Sequence, residues 1–376
     1  MEFDLQSILN LFLFAGVVQG IIVAVLLTTR RSSGITERLL ASWILLLTLS
    51  NVHILFSTWN LYLWLGQWYT LLAPLSLNLL FGPIIWLFCG KATDPEFKIK
   101  GSVLFHLMPG LLEFLYYLIA YLQPLAVKQD FYGRFHWPYI EPSLEVLATV
   151  SFAYYLWKSI RRIDQYAIQL KINYSNPDLN TYDWLRKLLN LLMIFALLWL
   201  LLTLIDVFIM GYELGYIYFY PYYLMIAFVS YFIGFSGYFR RDFQPEELPI
   251  LDPNSTHRTS IDQEQLHRNS RALETLMTSD KLFLQPDLRA KDVAKALGIT
   301  VQTLSYTLNQ GMSISFHDYI NQLRVNQVKI RLEAGDLEHM NLKGIARESG
   351  FHAESSFYRI FKQHTGQTPK AYLSSL

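Results

Sequence analysis

Two sets of side chains in this 376-residue sequence have types and spacing suited to chemistry. The first lies near the C-terminus. It comprises Val301, Gln302, Ser305 and Tyr306, then Glu354, Ser355, Tyr358 and Arg359, with Lys343 and Lys362 beside the second group. At helical spacing each group falls on one side of a helix. Gln can bond adenine through two contacts and Arg can bond guanine in the same way. Lys343 and Lys362 suit phosphate oxygens, which fix position and carry no sequence information. The second set is His53, Asn78, Glu113, Tyr116 and Asp206, all inside apolar runs. Ionisable groups in such runs are costly, and they mark either interhelical hydrogen bonding or a ligand site.

The elements that position the first set can be read from a repeat. Val293-Ala294 with Leu297-Gly298-Ile299 matches Ile345-Ala346 with Ser349-Gly350-Phe351, 52 residues further on. In each copy an Ala stands four residues before a Gly. The small Ala lets two helices approach, and the Gly adopts the left-handed conformation of a tight helix-to-helix turn. A polar helix of about a dozen residues follows each turn. Thr300 and Asn341 are placed as N-caps. Gly366 ends a helix over 354–364, and Thr368-Pro369 opens a last short one. Between the copies Phe316, Tyr319, Ile320 and Leu323 mark the buried face of a helix over 315–333. Its length, roughly 28 Å at 1.5 Å per residue, suits a connector between two helices that enter successive major grooves about 34 Å apart. A further helix over 262–279 carries Leu266, Leu273, Leu276 and Met277. Phe351, Phe357, Ile360 and Phe361 read as core.

The second set is carried by apolar spans. The chain is 52% hydrophobic and 16% charged, against about 25% charged for a soluble domain. The excess lies in residues 1–239. Seven runs approach the roughly 20 residues that cross a bilayer: 5–29, 39–58, 70–90, 102–122, 144–160, 188–210 and 217–239. Segments on one side hold 14 Lys or Arg, among them Arg30, Arg31, Lys91, Lys158, Arg162, Arg240 and Arg241, while the other side holds Lys128 and Arg134. This asymmetry predicts an outside N-terminus and a cytoplasmic C-terminus in a bacterial inner membrane. The n-region has Glu2 and Asp4 and no basic residue, unlike a cleavable signal peptide. Trp59, Trp64 and Trp68 with Tyr62 and Tyr69 suit an interfacial belt. By span direction His53 and Asp206 fall in the outer half and Glu113 near the middle. Glu213 follows the sixth span. Two readings of these groups lead: glue within the bundle, or a pocket opening outward; a metal or proton site made from His53, Glu113 and Asp206 is the weakest, since they come from three spans with no short ligand spacing.

Several classes are excluded. The one cysteine, Cys89, allows no disulfide and no Cys-rich zinc site. No His-Glu-x-x-His pattern is present, and no metal or other cofactor is expected, so an enzyme is not. Residues 240–262, with Pro245, Pro249 and Pro253, read as an irregular linker. Residues 262–376 hold 14 basic and 12 acidic residues. That is a small excess for a nucleic-acid binder, and it points to dimerisation as the source of affinity.

The stretch Ile345-Ala346, Gly350-Phe351, Ser356-Phe357, Arg359, Phe361-Lys362, Gly366, Thr368-Pro369 and Tyr372 resembles the C-terminal signature of AraC/XylS-family regulators. The chain departs from that pattern at Arg289, Leu308, Asn309 and Gly344. The resemblance covers under a third of the chain and is similar to the membrane-embedded members. It implies that residues 301–306 and 354–362 face double-stranded DNA, and that the chain acts as a homodimer with RNA polymerase as a partner, as an activator does. The expected architecture is all-α: a seven-helix transmembrane sensor bundle over 1–239, a linker over 240–261, and a soluble tandem helix-turn-helix domain over 262–376. The expected function is a one-component transcription regulator, with the bundle sensing a small-molecule effector or a membrane state. The alternative is a transporter or channel carrying a DNA-binding domain for self-regulation. Internal symmetry among the spans would favour it, and none is evident.

Overall fold

The computed structural model describes residues 5–29, 34–58, 71–75, 77–94, 96–175, 180–211, 218, 220–239 and 262–375. The linker 240–261, the aromatic loop 59–69, Glu213, Arg30 and Arg31 lie outside the described residues. The fold is all-α, and the only extended pairing among the described residues is a single bridge between Tyr174 and Arg289. Two compact units form. The first comprises Met1–Asp164 and Asp183–Glu247, the second Gln165–Tyr182 and Leu248–Leu376.

Among the described residues four helices are long and apolar enough to cross a membrane: Leu5–Thr29, Ile35–Phe56, Gly101–Tyr121 and Tyr182–Phe208. They are apolar on their outer faces as well. Leu11, Phe12 and Val25 on the first, and Leu197, Leu198 and Leu201 on the last, are exposed. A helix apolar all round belongs in a large core or in lipid. Leu5–Thr29 packs against Ile35–Thr58 and Tyr220–Phe239 through small residues. A Cβ on Gly16 would stand 2.6 Å from the Ala227 Cβ, and one on Gly20 would collide with Thr48. Such small residues let backbones approach where lipid supplies no hydrophobic drive. The Asn10 side-chain oxygen accepts from both Thr58 Oγ1 and Tyr220 Oη at 2.9 Å, a polar tie joining the same three helices.

Two expected spans take a different form. The run 70–90 is not one helix: turns occupy 71–75, a short 3-10 turn follows at Asn78–Leu80, and the helix is Phe81–Thr93. Pro74 lacks the donor a continuing helix needs, and Pro83 sits in the first turn, where that loss is harmless. At 13 residues this helix is roughly 20 Å long. The run 144–160 lies inside the much longer helix Glu141–Asn173. Between the expected fourth and fifth spans lies a π-helical stretch, Tyr132–Ile140.

The second unit has two apolar centres. The first contains Leu273, Met277, Val293, Leu304, Leu308 and Ile320. The second contains Val328, Ile345, Phe351, Phe357, Ile360 and Phe361. The helix Phe316–Glu333 contributes to both and is capped by Ser315, whose Oγ accepts from the Asp318 N–H. It also carries a polar stripe, His317, Asn321 and Arg324, all buried. Burial holds the His317 imidazole below its usual pKa and lowers the Arg324 guanidinium to about 10. Arg324 Nε donates to Phe283 O at 2.7 Å, and Nη2 donates to Gln285 O at 2.7 Å. Gly350 has φ +93°, and a Cβ there would meet Phe283 O at 2.5 Å and Arg324 Nε at 2.8 Å. Both the conformation and the space therefore require glycine.

Candidate functional site

Each half of the second unit presents one short helix behind a tight turn. In the first half Ala290–Leu297 ends at Gly298, φ +66°. Thr300 then caps Val301–Tyr306, its Oγ1 accepting from the Thr303 N–H at 3.1 Å. Arg289 has no acceptor to act as a side-chain cap. Instead its own N–H donates to the Asp292 carboxylate at 3.2 Å. In the second half Asn341 caps Leu342–Glu348 by accepting from the Gly344 N–H at 2.8 Å. Gly344 has Met340 packed over it, with Cγ 2.6 Å from where a Cβ would stand. Glu354–Thr365 follows the turn at Gly350 and ends at Gly366, φ +76°. Thr368 caps Pro369–Leu373.

Most of the expected DNA-facing residues project outward. Gln302, Tyr306, Glu354, Ser355, Tyr358, Arg359, Lys362 and Lys343 are exposed. The side chains that hold these helices, Leu304 on one side and Phe357, Ile360 and Phe361 on the other, are buried. Val301 is half-buried and packs against the first apolar centre. Ser305 is half-buried and accepts from Asn309 Nδ2 at 3.3 Å. Lys343 and Glu354 pair with each other at 3.0 Å. An exposed pair of this kind is worth little and opens readily for a phosphate. The polar helix expected after the first turn is shorter than a dozen residues. Its regular part is Val301–Tyr306, and Thr307–Gly311 is π-helical with Thr307 and Leu308 buried.

In the first unit, four of the five candidate ligand residues belong to one neighbourhood. The buried Glu113 carboxylate accepts from the Leu79 N–H at 2.9 Å and from the Asn78 N–H. Tyr116 Oη lies 2.6 Å from His136 Nδ1, and His136 Nε2 lies 2.9 Å from Glu141 Oε2. Tyr117 Oη donates to the same Glu141 oxygen at 3.0 Å. His53 and Glu113 are within electrostatic reach of Glu141. Asp206 is buried on Asn180–Phe208. His136 and Glu141 form the centre of this cluster, yet sequence reading passes over them. They lie in a segment without apolar periodicity. The available signal was an aromatic run, Phe131-Tyr132 and Phe135-His136-Trp137, beside the spans. Among the described residues no group of His, Cys, Asp and Glu is arranged to hold a metal ion.

Comparison with known proteins bears on the second unit. Residues 293–375 match the family model described as a helix-turn-helix domain. An uncharacterized HTH-type transcriptional regulator of Staphylococcus aureus strain COL is 30% identical over 92 residues, which are 24% of this chain and 12% of that protein. The uncharacterized HTH-type transcriptional regulator YijO of Escherichia coli K12 is 31% identical over 85 residues, 23% of this chain and 29% of its own length. A solved protein of unknown function from Listeria innocua aligns at 31% identity with 28% of this chain and 95% of its own, with a TM-score of 0.25. The chain thus spans a small part of the curated relatives it matches. Its C-terminal part is an AraC-type helix-turn-helix domain, a DNA-binding fold.

Proposed function

We propose that this chain is a membrane-embedded one-component transcription regulator. The helix-turn-helix domain binds a promoter from the cytoplasmic side, and the apolar helices hold it at the membrane and sense. One observation carries the reading. A single chain joins four helices of membrane-spanning length to a helix-turn-helix domain whose two short helices leave Gln302 and Arg359 exposed. Paired units suit two major-groove contacts on one face of a duplex. The seven-span topology with an outside N-terminus belongs to this proposal, as do the homodimer, the small-molecule effector and the contact with RNA polymerase.

Arg359→Ala in the full-length chain tests the DNA-binding claim. It is expected to weaken the selected site by about 1–3 kcal/mol, roughly 5- to 150-fold, and to relax preference at one base pair. Binding to selected and random duplexes measures this. Equal losses on both would make Arg359 a phosphate contact. Unchanged binding on both would remove it from the interface.

The sensing role is assigned to the cluster around Glu141, with Glu113, Tyr116 and His136. Glu113→Gln and Glu141→Gln keep shape and remove charge. Reporter output per membrane-inserted molecule is expected to shift in both variants, with insertion unchanged. Reduced insertion with unchanged output per molecule would make the cluster bundle glue.

A further inference from the structure

The second unit contains a segment remote in sequence from its helix-turn-helix residues. Gln165–Tyr182, the end of the helix Glu141–Asn173 and the residues after it, groups with Leu248–Leu376. The contact centres on Tyr174-Ser175. Tyr174 forms the antiparallel bridge to Arg289, whose guanidinium lies 5.3 Å from the Tyr174 ring centre. Ser175 is fully buried, and all its polar atoms are engaged. Its N–H donates to Leu288 O at 3.2 Å, and its Oγ–H donates to the same oxygen at 2.7 Å. Its carbonyl oxygen lies 2.8 Å from His317 Nδ1 and accepts from Asn321 Nδ2 at 3.1 Å. Arg324 Nη2 donates to Ser175 Oγ at 3.1 Å.

The receiving surface is built for this. His317, Asn321 and Arg324 stand at i, i+4 and i+7 on Phe316–Glu333, a polar stripe beside the apolar stripe of Phe316, Ile320 and Leu323. Burying a polar stripe is costly unless each group finds a partner. Ser175 supplies the acceptor for His317 and for Asn321. The same helix joins the two apolar centres, so a pull on Ser175 acts on the element that sets the spacing of both DNA-facing helices.

We infer that Tyr174-Ser175 is a clip: an intramolecular docking segment that ties the helix Phe316–Glu333 to the chain between two apolar helices, separately from the linker 240–261, and passes changes in the apolar half to the DNA-binding half. What the clip transmits rests on the proposed function; the docking itself does not. Gln302 and Arg359 remain exposed with the clip in place, so it does not cover them.

The test uses the full-length chain in membranes with a protease site placed in 251–256. Residues opposite one another in an antiparallel bridge have Cα atoms about 4.5–5.5 Å apart, within disulfide range. Tyr174→Cys with Arg289→Cys should therefore link on mild oxidation. After cleavage of the linker the halves should migrate together without reductant and apart with it. The control pair Tyr174→Cys with Lys362→Cys should stay apart. Separate halves in both pairs, or equal linking in both, would overturn the docking. For transmission, Ser175→Pro removes two donors and an acceptor, and Asn321→Ala removes one donor from the receiving side. Output of a DNA-dependent reporter per inserted molecule should shift at least fivefold in the same direction in both. Unchanged output in both, with the cross-link formed, overturns transmission and leaves a structural tie. A wild-type chain with no DNA-dependent output would defeat the proposed function and leave the cross-link result standing.

Discussion

Phe357→Ala is expected to cost about 3–5 kcal/mol, the range for removing a buried aromatic side chain from a packed core. Phe357 is fully buried. Its ring packs edge-on against Phe351 at 5.2 Å and Phe361 at 5.7 Å between centroids. Phe361 in turn packs on Tyr372 at 5.6 Å. A void there removes the support of Glu354–Thr365, the helix that carries Arg359. A domain of this size has roughly 5–15 kcal/mol of total stability, so the loss is a large part of it. Limited proteolysis of the full-length chain in membranes reads the outcome. Cleavage should appear first within 342–376, while 263–320, built on the other apolar centre, stays protected longer. Simultaneous loss of both regions would show that the two centres unfold as one. Unchanged protection would show that the site collapses around the smaller side chain.

Arg324→Met is expected to destabilise the same domain by about 2–5 kcal/mol, with the apolar stem volume nearly kept. The guanidinium serves Phe283 O and Gln285 O at 2.7 Å and Pro286 O at 3.3 Å. A buried acceptor left without a donor costs about 1–3 kcal/mol. Arg324→Lys should recover less than half of the loss, because one ammonium cannot reproduce the planar fork. Denaturant titration followed by protease protection of the C-terminal half measures both variants. A loss under about 1 kcal/mol in Arg324→Met would show that water replaces the guanidinium at these carbonyls.

The helix-turn-helix half was legible because its determinants are local. Thr300, Asn341 and Thr368 are short polar residues at helix starts, and each caps its helix. Gly298, Gly350 and Gly366 close turns with positive φ. Phe316, Tyr319, Ile320 and Phe357 follow helical periodicity into the two apolar centres. What escaped was non-local. Arg324 looks like a solvent-facing charge, and only the carbonyls of 283–286, brought in by the fold, make it a core residue. Ser175 finds its partners more than 100 positions away. His136 and Glu141 sit on and just after a π-helical stretch whose period matches neither a helix nor a strand pattern. In the apolar half, hydropathy located the long helices. It did not show that Pro74 and the turns at 71–75 break the third run.

Chromatin immunoprecipitation of the full-length chain, alongside Arg359→Ala expressed at the same membrane level, measures promoter binding from the membrane. A small set of enriched promoters sharing one motif is expected, recovered from the intact membrane-associated protein and lost in Arg359→Ala. No enrichment of any locus by the wild-type chain, or an enrichment pattern identical in Arg359→Ala, would contradict the proposed function.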